Sequence, residues 1–257
     1  MPTNKFGRRR LVAGAAGAVG AGLLGGCDRL SNNAQAENVL GSAARLSQWA
    51  QRLLSPKQVL AREYTEADLS PYFKPNGSQD PDDDDYQALA DKNFVDWKLD
   101  VGGLVQRPAQ FSLADLRAMP ARTQITRHDC VEGWSCIGKW KGVQLGRVLR
   151  QVGLQPKARY VVFRCADQGP GSSATKYYES IDLHAAFHPQ TILAYEMNDQ
   201  VLPVAHGAPV RVRVERQLGY KMAKYLMRIQ LVESFGDIEG GRGGYWEDEG
   251  YAWYAGI

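Results

Sequence analysis

Between Phe94 and Val214 the chain keeps returning to short strand-forming runs: FVDWKLDV (94–101), RYVVFRC (159–165), TILAYEM (191–197) and VRVRV (210–214). β-Branched and aromatic residues in short runs read as strands. Two helical patterns interrupt the strands. FSLADLRAM carries Ser112 with Asp115 three places on, a capping-box spacing, and VQLGRVLRQV puts Leu145, Val148, Leu149 and Val152 on one helical face. The expectation is an α+β body over roughly 90–235, with mixed β-sheets, short flanking helices and no internal repeat. A Gly-rich tail after 235 holds too many aromatics to be disordered and is expected to lie across the body. SPYFKPNGSQDPDDDDY (70–86) reads as loop, and its Asp82–Asp85 run as a solvated turn; calcium is the weaker alternative, since no ordered ligand spacing accompanies the run.

The net charge of +3 is carried by the leader. Taking Lys5, Arg8, Arg9 and Arg10 from the 31 basic residues leaves 27 against 28 acids, so nucleic acid is not an expected partner. Residues 1–26 join three arginines to a weakly hydrophobic Ala/Gly stretch that resembles a twin-arginine export signal. An ordinary secretory signal shares the arginines; the many glycines favour the twin-arginine route. Leu24-Gly25-Gly26-Cys27 resembles a lipobox, with Asp28 resembling an inner-membrane retention residue. The expectation is a periplasmic protein tethered by lipid at Cys27 to the outer face of the inner membrane. Residues 27–69 read as a helix and linker, with a helix over 35–54, and 70–257 as the functional domain.

Past Cys27 three cysteines remain, an odd number that cannot be wholly paired within one chain. Cys130 and Cys136 lie in RHDCVEGWSCIGKW (127–140). Five intervening residues do not make a zinc knuckle. A Cys130–Cys136 disulfide, a structural Cys130 and a reactive or metal-binding Cys130 all stay open on these residues; Arg127 and His128 nearby favour a thiolate. Residues 206–228 hold His206, Arg211, Arg213, Arg216, Lys221, Lys224 and Arg228 against Glu215 alone. On VRVRV the arginines share the face opposite the valines, which suits either solvent or a phosphate-bearing small molecule.

LDVGGLVQRPAQFSLADL (99–116), CVEGWS (130–135), LAYEMNDQVLP (193–203), HGAPVR (206–211) and GYKMAKYLMRI (219–229) occur in an order that resembles the sulfite oxidase superfamily of molybdopterin enzymes, exported bacterial branch. The resemblance implies a sulfite-oxidase-type molybdopterin-binding fold and a molybdenum–molybdopterin cofactor. It implies that Cys130 ligates the metal, that Asn76, His206, Arg211, Lys221, Met222 and Lys224 contact the pterin and its phosphate, and that Tyr177 or its neighbour Tyr178 stands near the metal. His128, Asp129 and Glu132 are candidates for proton transfer or for support of the metal ligand. Cys136 and Cys165 read as structural. Two positions depart from the sulfite-oxidising pattern: Pro75 stands where those enzymes place arginine, with Lys74 one further back, and Gly77 where they place histidine. The expected reaction is two-electron redox chemistry, with oxygen-atom transfer on a small S- or N-oxide, and electrons exchanged with a membrane haem protein or c-type cytochrome. The alternatives are a sulfite dehydrogenase and a lipoprotein binding module without cofactor.

Overall fold

The computed structural model describes residues 46–50, 59–169 and 175–257. The signal, the lipobox, Cys27 and most of the helix expected over 35–54 lie outside the described residues; 46–50 is helical, with Leu46 and Trp49 exposed. Two compact units divide the chain at Ala50/Gln51. None of the described helices is long and apolar enough to cross a membrane.

The second unit is built on two five-stranded sheets. One runs in the order β2 (Ala109–Ser112), β1 (Lys98–Gly103), β10 (Leu226–Val232), β5 (Tyr160–Gln168), β6 (Lys176–Asp182), with β1 and β10 parallel and the other neighbours antiparallel. The other places β3 (Ala121–Asp129) beside β4 (Ser135–Gln144) and β4 beside β7 (Ile192–Met197). β7 also pairs with β8 (Gln200–Val201) and β9 (Arg211–Arg213). One apolar core draws on both sheets: Leu99, Val161, Phe163 and Ile229 from the first, Val143, Leu193 and Val212 from the second.

The helices are short. α1 (Asp84–Ala90) starts inside the acidic run, which corrects the reading of that run as a turn: Asp83 accepts from the Tyr86 amide at 2.8 Å, and Asp84 and Asp85 occupy the positive end of the helix. α2 (Leu113–Ala118) has the expected box, with both Ser112–Asp115 contacts formed. α3 (Leu145–Val152) buries Leu145, Val148, Leu149 and Val152, as its periodicity requires. α4 (Leu183–Ala186) and α5 (Tyr245–Asp248) are single turns. Residues 59–69, expected as linker, are part of the body: Gln190 brackets Ala61 through its amide and carbonyl at 2.7 and 3.0 Å, and Glu63 bridges to Thr126.

Candidate active site

β3 ends at Asp129, and the next four residues turn sharply. Gly133 takes φ +84°, its amide donates to the Cys130 carbonyl, and the Cys130 amide donates to Trp134. The turn presents Cys130 to a cleft of about 530 Å³, whose wall includes Asn76, Glu132, Asp167, Tyr177 and Met222. Cys130, Cys136 and Cys165 are all free thiols, so the disulfide alternative is not realised. Cys165 is buried in β5, and Cys136 is half-buried on β4 with its sulfur 3.7 Å from the Tyr72 carbonyl. Burial pushes the Cys130 thiol up, opposed by the amides of Glu132 and Val131. A metal ion bound to the sulfur would favour the thiolate.

Behind the cleft stands a buried cluster of bases. Arg211 and Arg213 lie on one face of β9, both wholly buried, and both guanidinium groups lie over the Trp140 ring. That face is not solvated. Arg213 is neutralised by Glu215 (2.6 and 2.9 Å) and donates to His128 Nδ1 at 3.0 Å. Because Nδ1 accepts, the proton of neutral His128 resides on Nε2, which has no partner. Burial first, then Arg213 and Arg211, holds His128 well below the usual imidazole range. Arg211 donates to the carbonyls of His206 (3.0 Å) and Met222 (3.4 Å), while its Nε is unpartnered. Among the described residues no carboxylate pairs with Arg211. Burial and Arg213 bring its pKa down to about 9.

Lys224 reaches the loop that carries Asn76, donating to the carbonyls of Asn76 at 2.7 Å and of Ser78. It too lacks a carboxylate in salt-bridge contact among the described residues, and burial with Arg211 nearby lowers it to about 7. Asp167, the acid that most offsets Lys224, is itself raised to about 7 by burial, and its Oδ1 is unpartnered. His206 falls to about 4 through burial, Arg211 and Lys224, with Nδ1 unpartnered. Gly219 and Gly207 let the backbone come close: a Cβ would meet His128 Nε2 at 2.5 Å from the first and Lys224 Cβ at 2.8 Å from the second.

Not every expected residue faces the cleft. Lys221 is buried between Glu179 (2.5 Å) and Glu247, so its charge is engaged away from the cleft. Asp129 is held by Arg127 (2.9 Å) and Ser135. Tyr177 lines the cleft and donates to the Tyr220 carbonyl at 2.6 Å; Tyr178, one position on in β6, points into a separate apolar cluster and bonds Asp248. Sequence reasoning missed Asp167, whose only signal was its place two residues past Cys165 on a strand. It also missed Tyr220, Trp246 and Tyr251 on the cleft wall.

The donor set fits a bound anionic cofactor. Buried unpartnered atoms belong to Asn76 and Asp167 on the cleft wall and to His128, His206 and Arg211 in the cluster behind it. Buried cations without counter-ions are costly unless an anion meets them. The described residues contain no cluster of three or more His, Cys, Asp or Glu set to hold a metal. A single cysteine as protein ligand suits a metal whose other donors arrive with a cofactor.

Comparison with known proteins agrees. Residues 86–236 match the family described as oxidoreductase molybdopterin-binding domain. A putative protein-methionine-sulfoxide reductase subunit, YedZ1, from Azospira oryzae is 37% identical over 237 residues, covering 92% of this chain and 83% of that protein. The catalytic subunits MsrP of protein-methionine-sulfoxide reductases from Ralstonia nicotianae and Xanthomonas axonopodis pv. citri are 41% and 38% identical over 145 residues, 53% of this chain. Those matches span less than half of the two relatives, 44% and 45%. The sulfane dehydrogenase SoxCD from Paracoccus pantotrophus superposes with a TM-score of 0.49 at 22% identity, over 55% of this chain and 39% of that one. With the family match taking in more than half of its length, and a relative 37% identical across 92% of it, the chain belongs to the molybdopterin-binding oxidoreductases.

Proposed function

We propose that this chain is the catalytic subunit of a protein-methionine-sulfoxide reductase, loaded with molybdenum–molybdopterin and supplied with electrons by a separate haem protein. The observation that carries the reading is Cys130 on a cleft whose wall includes Lys224 and the unpartnered Asn76 and Asp167 oxygens, backed by a buried cluster in which atoms of Arg211, His206 and His128 are also unpartnered. The names of three relatives supply the substrate class. When bound, the cofactor supplies the two-electron exchange. A sulfoxide, two electrons and two protons give a thioether and water.

The chain's own residues would divide the remaining work. Cys130 would hold the metal through its thiolate. Arg211 would meet the pterin's phosphate with its unpartnered Nε–H, and Lys224 would fix the Asn76 loop through its carbonyls while adding positive potential. Asp167, protonated up to about pH 7 at an unpartnered carboxyl on the cleft wall, is placed to supply a proton. Lys74 is paired with Glu132 at 3.2 Å, and with Pro75 and Gly77 beside Asn76 the loop offers no free cation for sulfite. Export by the leader and anchoring at Cys27 belong to the same proposal, since a tether keeps the enzyme near a membrane partner.

The test is molybdenum and released pterin per chain, in protein from a host that makes the cofactor, with turnover of methionine sulfoxide and of sulfite. One metal and one pterin per chain, reduction of the sulfoxide and inactivity toward sulfite are expected, with metal and activity lost in Cys130→Ala. A folded sample with neither metal nor pterin, or an active Cys130→Ala enzyme, overturns the reading.

A further inference from the structure

We propose that Tyr220, Trp246 and Tyr251 form an aromatic wall that binds the apolar methylthio end of an organic sulfoxide, and so selects such substrates over compact inorganic oxyanions. This rests on the sulfoxide reading above and adds what the cleft recognises. All three residues line the cleft that Cys130 enters. Tyr251 packs on Trp246 at 5.0 Å between ring centroids and meets Tyr220 edge-on at 5.5 Å. Trp246 and Tyr251 lie beyond residue 236, where the family match ends, so two of the three rings come from the tail.

The wall is anchored from behind. Lys221 follows Tyr220 and Glu247 follows Trp246, and the two are joined in the buried Glu179–Lys221–Glu247 cluster. The Tyr220 hydroxyl donates to the Ala252 carbonyl at 2.6 Å, and the Tyr251 amide donates to the Trp246 carbonyl at 2.9 Å. Tyr251 nevertheless remains 42% exposed, with Trp246 and Tyr220 packed against it. Ring faces and edges attract polarizable sulfur and apolar methyl groups, and rigid aromatics lose little entropy in doing so. A bare oxyanion makes neither contact and would lose hydration against these rings.

The probe is N-acetylmethionine sulfoxide, titrated calorimetrically into the oxidised, cofactor-loaded enzyme and also used in steady-state assays. Trp246→Ala and Tyr251→Leu, the latter keeping apolar volume without the ring, should each raise Kd and KM roughly 5- to 20-fold, with kcat changing less. Trp246→Phe, which restores an aromatic face, should recover most of the affinity. Variants that bind and turn over the probe like wild type overturn the wall while leaving the reductase reading intact. A wild-type enzyme that binds the probe in a Trp246-dependent way without reducing it upholds the wall and overturns the reductase reading. Absence of both binding and turnover overturns both.

Discussion

Arg211 and Arg213 stand two positions apart on one buried strand face, yet among the described residues only Arg213 has a carboxylate beside it. The positive potential that Arg211 and Lys224 leave uncompensated reaches His206, whose pKa drops to about 4, burial being the larger cause. The sign of the consequence is fixed. Between pH 6.5 and about 4 the unfolded chain binds a proton at this histidine that the folded chain refuses. The contribution of His206 to stability is therefore present above pH 6.5 and is lost as the pH falls through about 4. His206→Gln, which cannot titrate, should give cofactor-free protein a shallower loss of stability over this window, read from urea midpoints at pH 6.5, 5.5 and 4.5. Equal slopes in variant and wild type would refute the assignment. His128 also contributes an acid limb, so some slope should persist.

At the scale of elements, period was legible and partners were not. The helical face of α3 and the capping box of α2 follow from local spacing, and the structure has both. On β6 the two neighbouring tyrosines part company, Tyr177 lining the cleft and Tyr178 buried in an apolar cluster with Val162 and Ile238. Lys221 was read by its motif neighbourhood as a phosphate contact, but its destiny was set by two acids 42 residues before it and 26 after it. No local pattern announces such a meeting. Asp82–Asp85 failed for the converse reason: composition suggested a turn, whereas Asp83 serves as the cap of α1. The Lys221 cluster ties α5 to the segment 219–221, whose Gly219 and Tyr220 line the cleft. Lys221→Met leaves Glu179 buried beside Glu247 without the cation and should cost about 3–5 kcal/mol at pH 7.5. Burial already raises Glu179 well above the usual carboxylate range, with Lys221 the main opposing influence. Without Lys221 the folded carboxyl holds its proton still more strongly, so the variant's lost stability should return as the pH is lowered toward 5. Denaturant midpoints at the two pH values decide it; a loss equal at both would show that packing rather than charge is at stake.

Across the whole molecule, two sheets share a core while the polar cluster behind the cleft is left unsatisfied by the protein itself. A fold with buried cations and unpartnered donors is less stable alone than one with an apolar interior of the same shape, so the arrangement makes sense as a receptor for an anion. Stability and loading are then linked: a cofactor that binds only the folded state raises its stability with concentration and affinity. Arg211 is where the two demands conflict most directly, since it is wholly buried, without a carboxylate among the described residues, and donates to two carbonyls. Arg211→Met keeps volume and removes the charge. The cofactor-free variant should be about 1–2 kcal/mol more stable than cofactor-free wild type, the relief of the charge outweighing two lost neutral hydrogen bonds. The same change should cut pterin content severely, so that the gap in melting temperature between protein purified from a cofactor-making host and cofactor-free protein nearly closes. Paired thermal melts with pterin release read both effects on the same samples. A variant that loads pterin like wild type would remove Arg211 from the binding site, whatever its stability; one that is both less stable and unloaded would make Arg211 a structural residue first.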